Sequence, residues 1–172
     1  MPPKKSTPPL DARASLEEML AVSESINQGL LQAIADAAWS SPPPGGKGRC
    51  IAQLFAHIHN VRLMWLVAQK RTDLPKKLDA ETITKASVRQ ALQESSSALR
   101  EVIREAALTP EGRIRDFKPN VAHFVAYLIS HEAHHRGQVT QLSRALGHPT
   151  DQKSMFGMWQ WSTHFRGAGF ES

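Results

Sequence analysis

The stretch Tyr127-Leu128-Ile129-Ser130-His131-Glu132-Ala133-His134-His135-Arg136-Gly137-Gln138-Val139 decides how the rest of the chain is read. It lies in a long apolar-periodic run that opens at Asn120, a residue type whose side chain accepts from free amides at helix starts. The run closes at Gly147, which tolerates the left-handed turn that ends helices. One helix is therefore expected from Asn120 to Gly147. Along it Phe124, Leu128, His131, His135, Gln138 and Leu142 alternate steps of four and three, so two histidines occupy the stripe that should face a core. Four residues apart, they are separated by about one turn, roughly 6 Å, and both imidazoles can reach one ion. A buried imidazole has two polar nitrogens, and leaving either unsatisfied costs ~1–3 kcal/mol. A lone histidine on such a stripe is ordinarily satisfied by a neighbouring side chain, but two on one stripe with a third elsewhere point to a shared metal ion.

Outward from that helix, the 172 residues suit a single domain, expected over residues 11–172. Residues 1–10, with Pro2, Pro3, Lys4, Lys5, Pro8 and Pro9, read as a disordered arm. The single cysteine, Cys50, cannot pair within the chain, so a metal site would have to draw on His, Asp or Glu, and a reducing compartment is the natural home. No run approaches about 18 uninterrupted apolar residues, and the amino-terminal segment lacks the apolar core of a secretory signal. The expectation is a soluble, cytoplasmic protein with no membrane association. The formal charge of +5 raises the question of nucleic acid. The basic residues are scattered, however, and those of the third helical run alternate with Glu94, Glu101 and Glu105 as on a solvated face, so no nucleic-acid partner is expected.

In chain order, Leu16, Met19, Leu20, Ile26, Leu30, Ile34 and Ala37 predict a first helix from Asp11 to Trp39, stopped by Ser41-Pro42-Pro43-Pro44-Gly45-Gly46. A second run from Cys50 to Lys70 has Cys50, Leu54, His57, Val61, Met64 and Ala68 on one stripe, which turns His57 inward. On the same wheel His59 is about 200° away and expected at a surface or interface, and Arg62 lies nearly opposite His57. A loop over 71–81 leads to a third helix from about Thr82 to Leu108, and Thr109-Pro110-Glu111-Gly112 breaks it. After Gly147 the periodicity fades, and the aromatic bulk of Met155-Phe156-Gly157-Met158-Trp159-Gln160-Trp161 is expected to cap one end of the core. Four helices with no strand signal give an all-α four-helix bundle with a short aromatic carboxy-terminal appendage.

His57, His131 and His135 then form a constellation of three inward imidazoles on two helices. Three neutral nitrogens with an open fourth position is the arrangement of a catalytic metal site, whereas structural zinc is closed by four protein ligands. Zinc, nickel, iron and manganese all suit imidazole. His131-Glu132-Ala133-His134-His135 also fits the metalloprotease pattern in which the glutamate is the general base, so a metal-dependent hydrolase is one option. Against it, Gln138 stands where the extended form of that pattern has glycine. Glu132 reads more simply as a solvated carboxylate. Arg136 suits either an anion contact or an ordinary surface charge, His134 a supporting position or a neighbouring helix, and Gly137 a close helix approach.

The segment His131-Glu132-Ala133-His134-His135-Arg136-Gly137-Gln138, followed by Leu142 to Pro149, resembles the last helix of the DinB-like (DinB/YfiT) superfamily. Leu54-Phe55-Ala56-His57 with Trp65 is similar to that family's second helix, and Met158-Trp159-Gln160-Trp161 to its carboxy-terminal signature, so the likeness spans roughly residues 12–165. The resemblance implies an up-up-down-down bundle, often a homodimer, with a divalent metal held by His57, His131 and His135. It further implies a metal-dependent enzyme that activates a low-molecular-weight thiol cosubstrate, of S-transferase or isomerase type, towards a small electrophilic substrate. The alternative is a non-catalytic metal-binding bundle that acts through dimerisation or a protein partner.

Overall fold

The computed structural model describes residues 11–79 and 83–170, so the expected amino-terminal arm lies outside the described residues. The elements are α1 (Ala12–Ala33), α2 (Asp36–Trp39), α3 (Ile51–Ala68), α4 (Lys85–Ala107), α5 (Val121–Ala145), α6 (Gln152–Gly157) and α7 (Trp161–Gly167). Three of the four long helices start on side-chain caps. Asp11 accepts from the amides of Arg13 and Ala14, Thr84 from that of Ser87, and Asn120 from those of Ala122 and His123. Each such cap is worth about 1 kcal/mol. Gly147, at φ +81°, closes α5 as the sequence suggests.

The expected four-helix bundle forms, with α1 and α3 each packed against both α4 and α5. Its interior is two apolar layers. One gathers Leu30, Leu31, Ile34, Trp39, Phe55, Ile58, Leu92 and Val139. The other gathers Leu20, Leu66, Leu99, Ile103, Phe124, Val125 and Leu128. Between them every long helix interrupts its apolar stripe with polar residues: Ser23, Glu24 and Asn27 on α1, His59 and Arg62 on α3, Ser95 and Ser96 on α4, Glu132 and His135 on α5. The layers also give direction. Along α1 and α5 the chain passes from the second layer to the first, along α3 and α4 from the first to the second. The order is thus up, down, down, up, and not the up-up-down-down that the resemblance implies. The connection after α3 explains it by running back alongside that helix, with Asn60 bonded to the backbone of Leu78 and His59 to the carbonyl of Lys76, so that α4 enters at the same end as α3.

Two further expectations need correction. The first helix does not run unbroken to Trp39, because Ile34 and Ala35 adopt extended backbone and the short α2 follows. No proline or glycine marks the break. Its gain is the burial of Trp39, whose ring stacks on Phe55 at 5.9 Å and whose indole N–H donates to the carbonyl of Ile83 at 3.2 Å. The carboxy-terminal aromatic segment is only in part a cap. Met158 packs on the first layer, and His164 fastens α7 to α1 by bonding Ser25 Oγ at 3.0 Å, yet Phe156, Trp159 and Trp161 stay exposed, Trp159 at 81%. No helix among the described residues is long and apolar enough to cross a membrane.

Candidate metal centre

The neighbouring helices α3 and α5 carry the histidines picked out in the sequence, and the bundle brings all three together. The nearest nitrogens of His57, His131 and His135 lie within 4.8 Å of one another. Ring centroids are 5.3 Å apart for His57 and His131, 4.7 Å for His57 and His135, and 4.5 Å for His131 and His135. His135 is buried while the other two are half-buried, so the cluster sits at the edge of the α3–α5 seam rather than in the core. The side chain of Tyr127, one turn before His131, stacks on its ring at 6.1 Å.

Hydrogen bonding selects one form of His135. Its Nδ1 lies 2.8 Å from Gln138 Oε1. An amide oxygen only accepts, so Nδ1 carries the proton and Nε2 keeps a lone pair. That Nε2 is 3.1 Å from Nε2 of His131. Two nitrogens at about 2.0–2.1 Å from a tetrahedral ion stand roughly 3.4 Å apart, close to the separation this pair already has. Burial, followed by the charges of Arg49, His135 and His131, lowers the His57 imidazole from 6.5 to about 4. Burial is also the main cause that lowers His131 and His135. All three are therefore held neutral at neutral pH, the form in which imidazole ligates a metal. The donor set, its protonation and its convergence fit a divalent cation that prefers nitrogen, and no Asp, Glu or Cys among the described residues joins the group.

The residues around the histidines fall elsewhere than expected. Glu132 is not solvated: it is 1% exposed and points into the polar layer. Its Oε1 accepts from Arg62 Nε at 2.7 Å, and its Oε2 from Ser23 Oγ at 2.9 Å and Asn27 Nδ2 at 2.8 Å. Arg62, 1% exposed, also donates through Nη1 to Glu24 Oε2 at 2.7 Å and to the carbonyl of Leu92 at 2.8 Å. One α3 side chain thereby bonds α1, α4 and α5. Arg136 is a member of this network rather than a free surface charge, with Nη1 2.8 Å from Asn27 Oδ1. His59 is fully buried, its nitrogens taken by Ser95 Oγ at 3.1 Å and the carbonyl of Lys76 at 3.0 Å, which corrects its expected surface position. His134 is exposed, with its ring 5.1 Å from that of His135. No close helix approach explains Gly137, since a Cβ there would meet nothing within 4 Å.

The two carboxylates on Arg62 differ. Burial raises the Glu24 carboxyl, and Arg62 only partly offsets it. Burial acts on Glu132 too, but the Arg62 guanidinium and the hydrogen bonds from Arg62, Asn27 and Ser23 outweigh it and hold that carboxyl below its ordinary range. Sequence reasoning missed this network because it sorted charged residues outwards. A usable signal existed: Arg62 stands between Ile58 and Leu66, and Glu132 between Leu128 and Val139, on stripes that are apolar on either side.

A family model described as the DinB family matches residues 11–161. No curated protein and no solved structure gives a significant match. With a helical bundle and a histidine cluster accompanying a match over most of its length, the chain belongs to the DinB family.

Proposed function

We propose that His57, His131 and His135 hold one divalent metal ion and that the protein is a metal-dependent enzyme activating a low-molecular-weight thiol towards a small electrophile. The observation that carries the metal is the convergence of three neutral imidazoles within 4.8 Å at a half-open edge of the bundle. Three protein ligands leave a position for a reactant, as catalytic sites do. The thiol rests on the resemblance of the His131–Gln138 segment to a superfamily whose members include thiol-dependent transferases and isomerases. A cation bound there supplies Lewis-acid chemistry, lowering the pKa of a thiol that reaches it. In the transfer the thiol gives up its proton, sulfur bonds the electrophilic carbon, and the leaving group departs with its electron pair. The contribution of the chain is positional: Gln138 fixes the ring of His135, Tyr127 backs His131, and burial keeps protons off the nitrogens.

Hydrolysis by the His-Glu-x-x-His pattern loses its base, because both oxygens of Glu132 are engaged in the interior. A second reading has its own support: the exposed Phe156, Trp159 and Trp161 suit a bundle that works by association, as a homodimer or with a protein partner. Elemental analysis of the purified protein and of His57→Ala tests the proposal. Near-stoichiometric metal in the native chain, lost in the variant, is expected, together with thiol consumption on an electrophile panel that falls with it. Unchanged metal content in His57→Ala overturns the site. Full metal without any turnover, joined to a dimer that dissociates on Trp159→Ser, favours the second reading.

A further inference from the structure

We infer that the groove adjoining the histidines seats an oxyanion of the small substrate, a carboxylate or a phosphate, and that Lys47 and Arg49 hold it. This rests on the proposed reading of the histidines as a reaction centre and adds the chemical class of what is brought there.

The groove, of ≈ 730 Å³, is lined by Lys47, Arg49, Leu54, Gln138, Gln141 and Leu142 among others, and by no Asp or Glu. Its size is that of small-molecule sites, which run about 300–1,000 Å³. Its floor is apolar, with Leu54 buried and Leu142 half-buried, while its rim carries two cations and two amides. Such a lining orients an amphipathic molecule, with its carbon skeleton down and its negative group on the rim. The turn before α3 puts the cations there. Gly45 and Gly46, at φ +83° and +70°, reverse the chain, and Gly48, at φ +103°, adopts a conformation that L residues rarely take, setting Lys47 and Arg49 on either side of it.

The groove and the histidines share walls. Leu54 precedes His57 by three residues and Gln138 follows His135 by three, so each lies about one turn, roughly 5 Å, from the reaction centre. Gln138 belongs to both, lining the groove and bonding His135 Nδ1. The Arg49 charge is felt at His57 and His135, where it is among the causes that lower their pKa. Some surface cations are engaged by carboxylates, Arg71 with Glu105, Arg100 and Arg104 with Glu17, and Lys85 with Asp36. Lys47 and Arg49 face no carboxylate among the described residues. A molecule of a few carbons could thus place its oxyanion on the rim and its reacting atom at the histidines.

Calorimetric titration tests this with succinate, its uncharged diamide succinamide, and inorganic phosphate, on native protein and on a Lys47→Ala, Arg49→Ala double variant. Both are used first free of metal and then loaded with zinc. Metal-free native protein is expected to bind succinate and not succinamide, and the double variant to lose at least about tenfold in affinity while its zinc content and thermal unfolding stay those of the native chain. Tighter binding of phosphate than of succinate, with the same dependence on the two cations, assigns the seat to a phosphate group. On zinc-loaded protein mercaptopropionate should exceed both propionate and mercaptoethanol by at least about tenfold, because one molecule engages both ends. Equal binding of succinate and succinamide, or indifference to the double variant, overturns the seat. Mercaptopropionate no better than propionate overturns its link to the histidines. Absence of zinc binding beside a succinate affinity that needs Lys47 and Arg49 sinks the metal reading alone and upholds the seat.

Discussion

The helices α3 and α5 build two polar clusters side by side, and they are opposites. On α5 they start from adjacent residues, His131 and Glu132, and on α3 from His57 and Arg62. The Arg62–Glu132 cluster turns inwards and all but closes on itself: each carboxylate oxygen of Glu132 has a donor, and Arg62 reaches three other helices through Nε and Nη1, its Nη2 alone lacking a partner among the described residues. The histidine cluster turns to the seam, and its nitrogens crowd one another, with one pair 3.1 Å apart. A polar group set whose members answer each other's valence is a structural device. One whose lone pairs converge on a common point is incomplete without a further partner.

The largest expected effect separates the two by stability. Arg62→Leu leaves two buried carboxylates without their guanidinium and should cost about 3–5 kcal/mol, read from urea unfolding of the metal-free protein. A cost below about 1 kcal/mol would mean that the closed cluster does not hold the bundle together. His57→Ala is the mirror image. Metal binding should vanish while metal-free stability moves by no more than about 1 kcal/mol, since the ring is half-buried and bonds nothing in the closed cluster. Within the closed cluster, Glu132→Gln should be the costlier of two matched changes, about 2 kcal/mol, because Glu132 is held ionised by Arg62. Glu24→Gln should cost less, as burial already favours its neutral form. Equal losses would contradict the asymmetry.

At the open cluster, Gln138→Ala frees the His135 ring and should weaken metal affinity about 10–100-fold without abolishing it, measured by competition with a chelator. The smallest effect is a pH slope. The His57 imidazole titrates at 6.5 in the unfolded chain and at about 4 when folded, with His131 and His135 lowered as well. As pH falls below 6.5 the unfolded chain takes up protons that the folded one refuses, so metal-free stability is whole above that value and is lost towards about pH 4. His57→Asn should shallow that slope, seen by comparing urea midpoints at about pH 7 and about pH 4.5.

How far the sequence could be read follows the same division. The four long helices, their caps at Asn120 and Gly147, and the meeting of His57 with His131 and His135 were legible, because apolar spacing and capping chemistry are local. The closed cluster was not. The apolar stripes on which Arg62 and Glu132 stand hint that both turn inwards, but which counter-charge each meets is not a local property, and Glu24, Arg62 and Glu132 are far apart in the chain. The α3 wheel misled for a related reason. That helix buries Ile51, Ala52, Leu54, Phe55, Ala56 and Ile58 in near succession, so no single face stands out, and the stripe from Cys50 through His57 to Ala68 proved mostly half-buried, with Leu54 buried and Met64 exposed. The break after Ala33 left no trace, since what drives it is the seat of Trp39 against Phe55.

The bonding of Arg62 to three other helices also acts as a datum for the assembly. Sliding any of those helices by a single turn would tear a bonded guanidinium out of its setting, so the axial registry of the bundle is locked at that one height. His131 and His57 sit at fixed sequence offsets from this lock, and they inherit their level from it without being part of it. The histidines at the rim can therefore be replaced while the frame that aims them stays put.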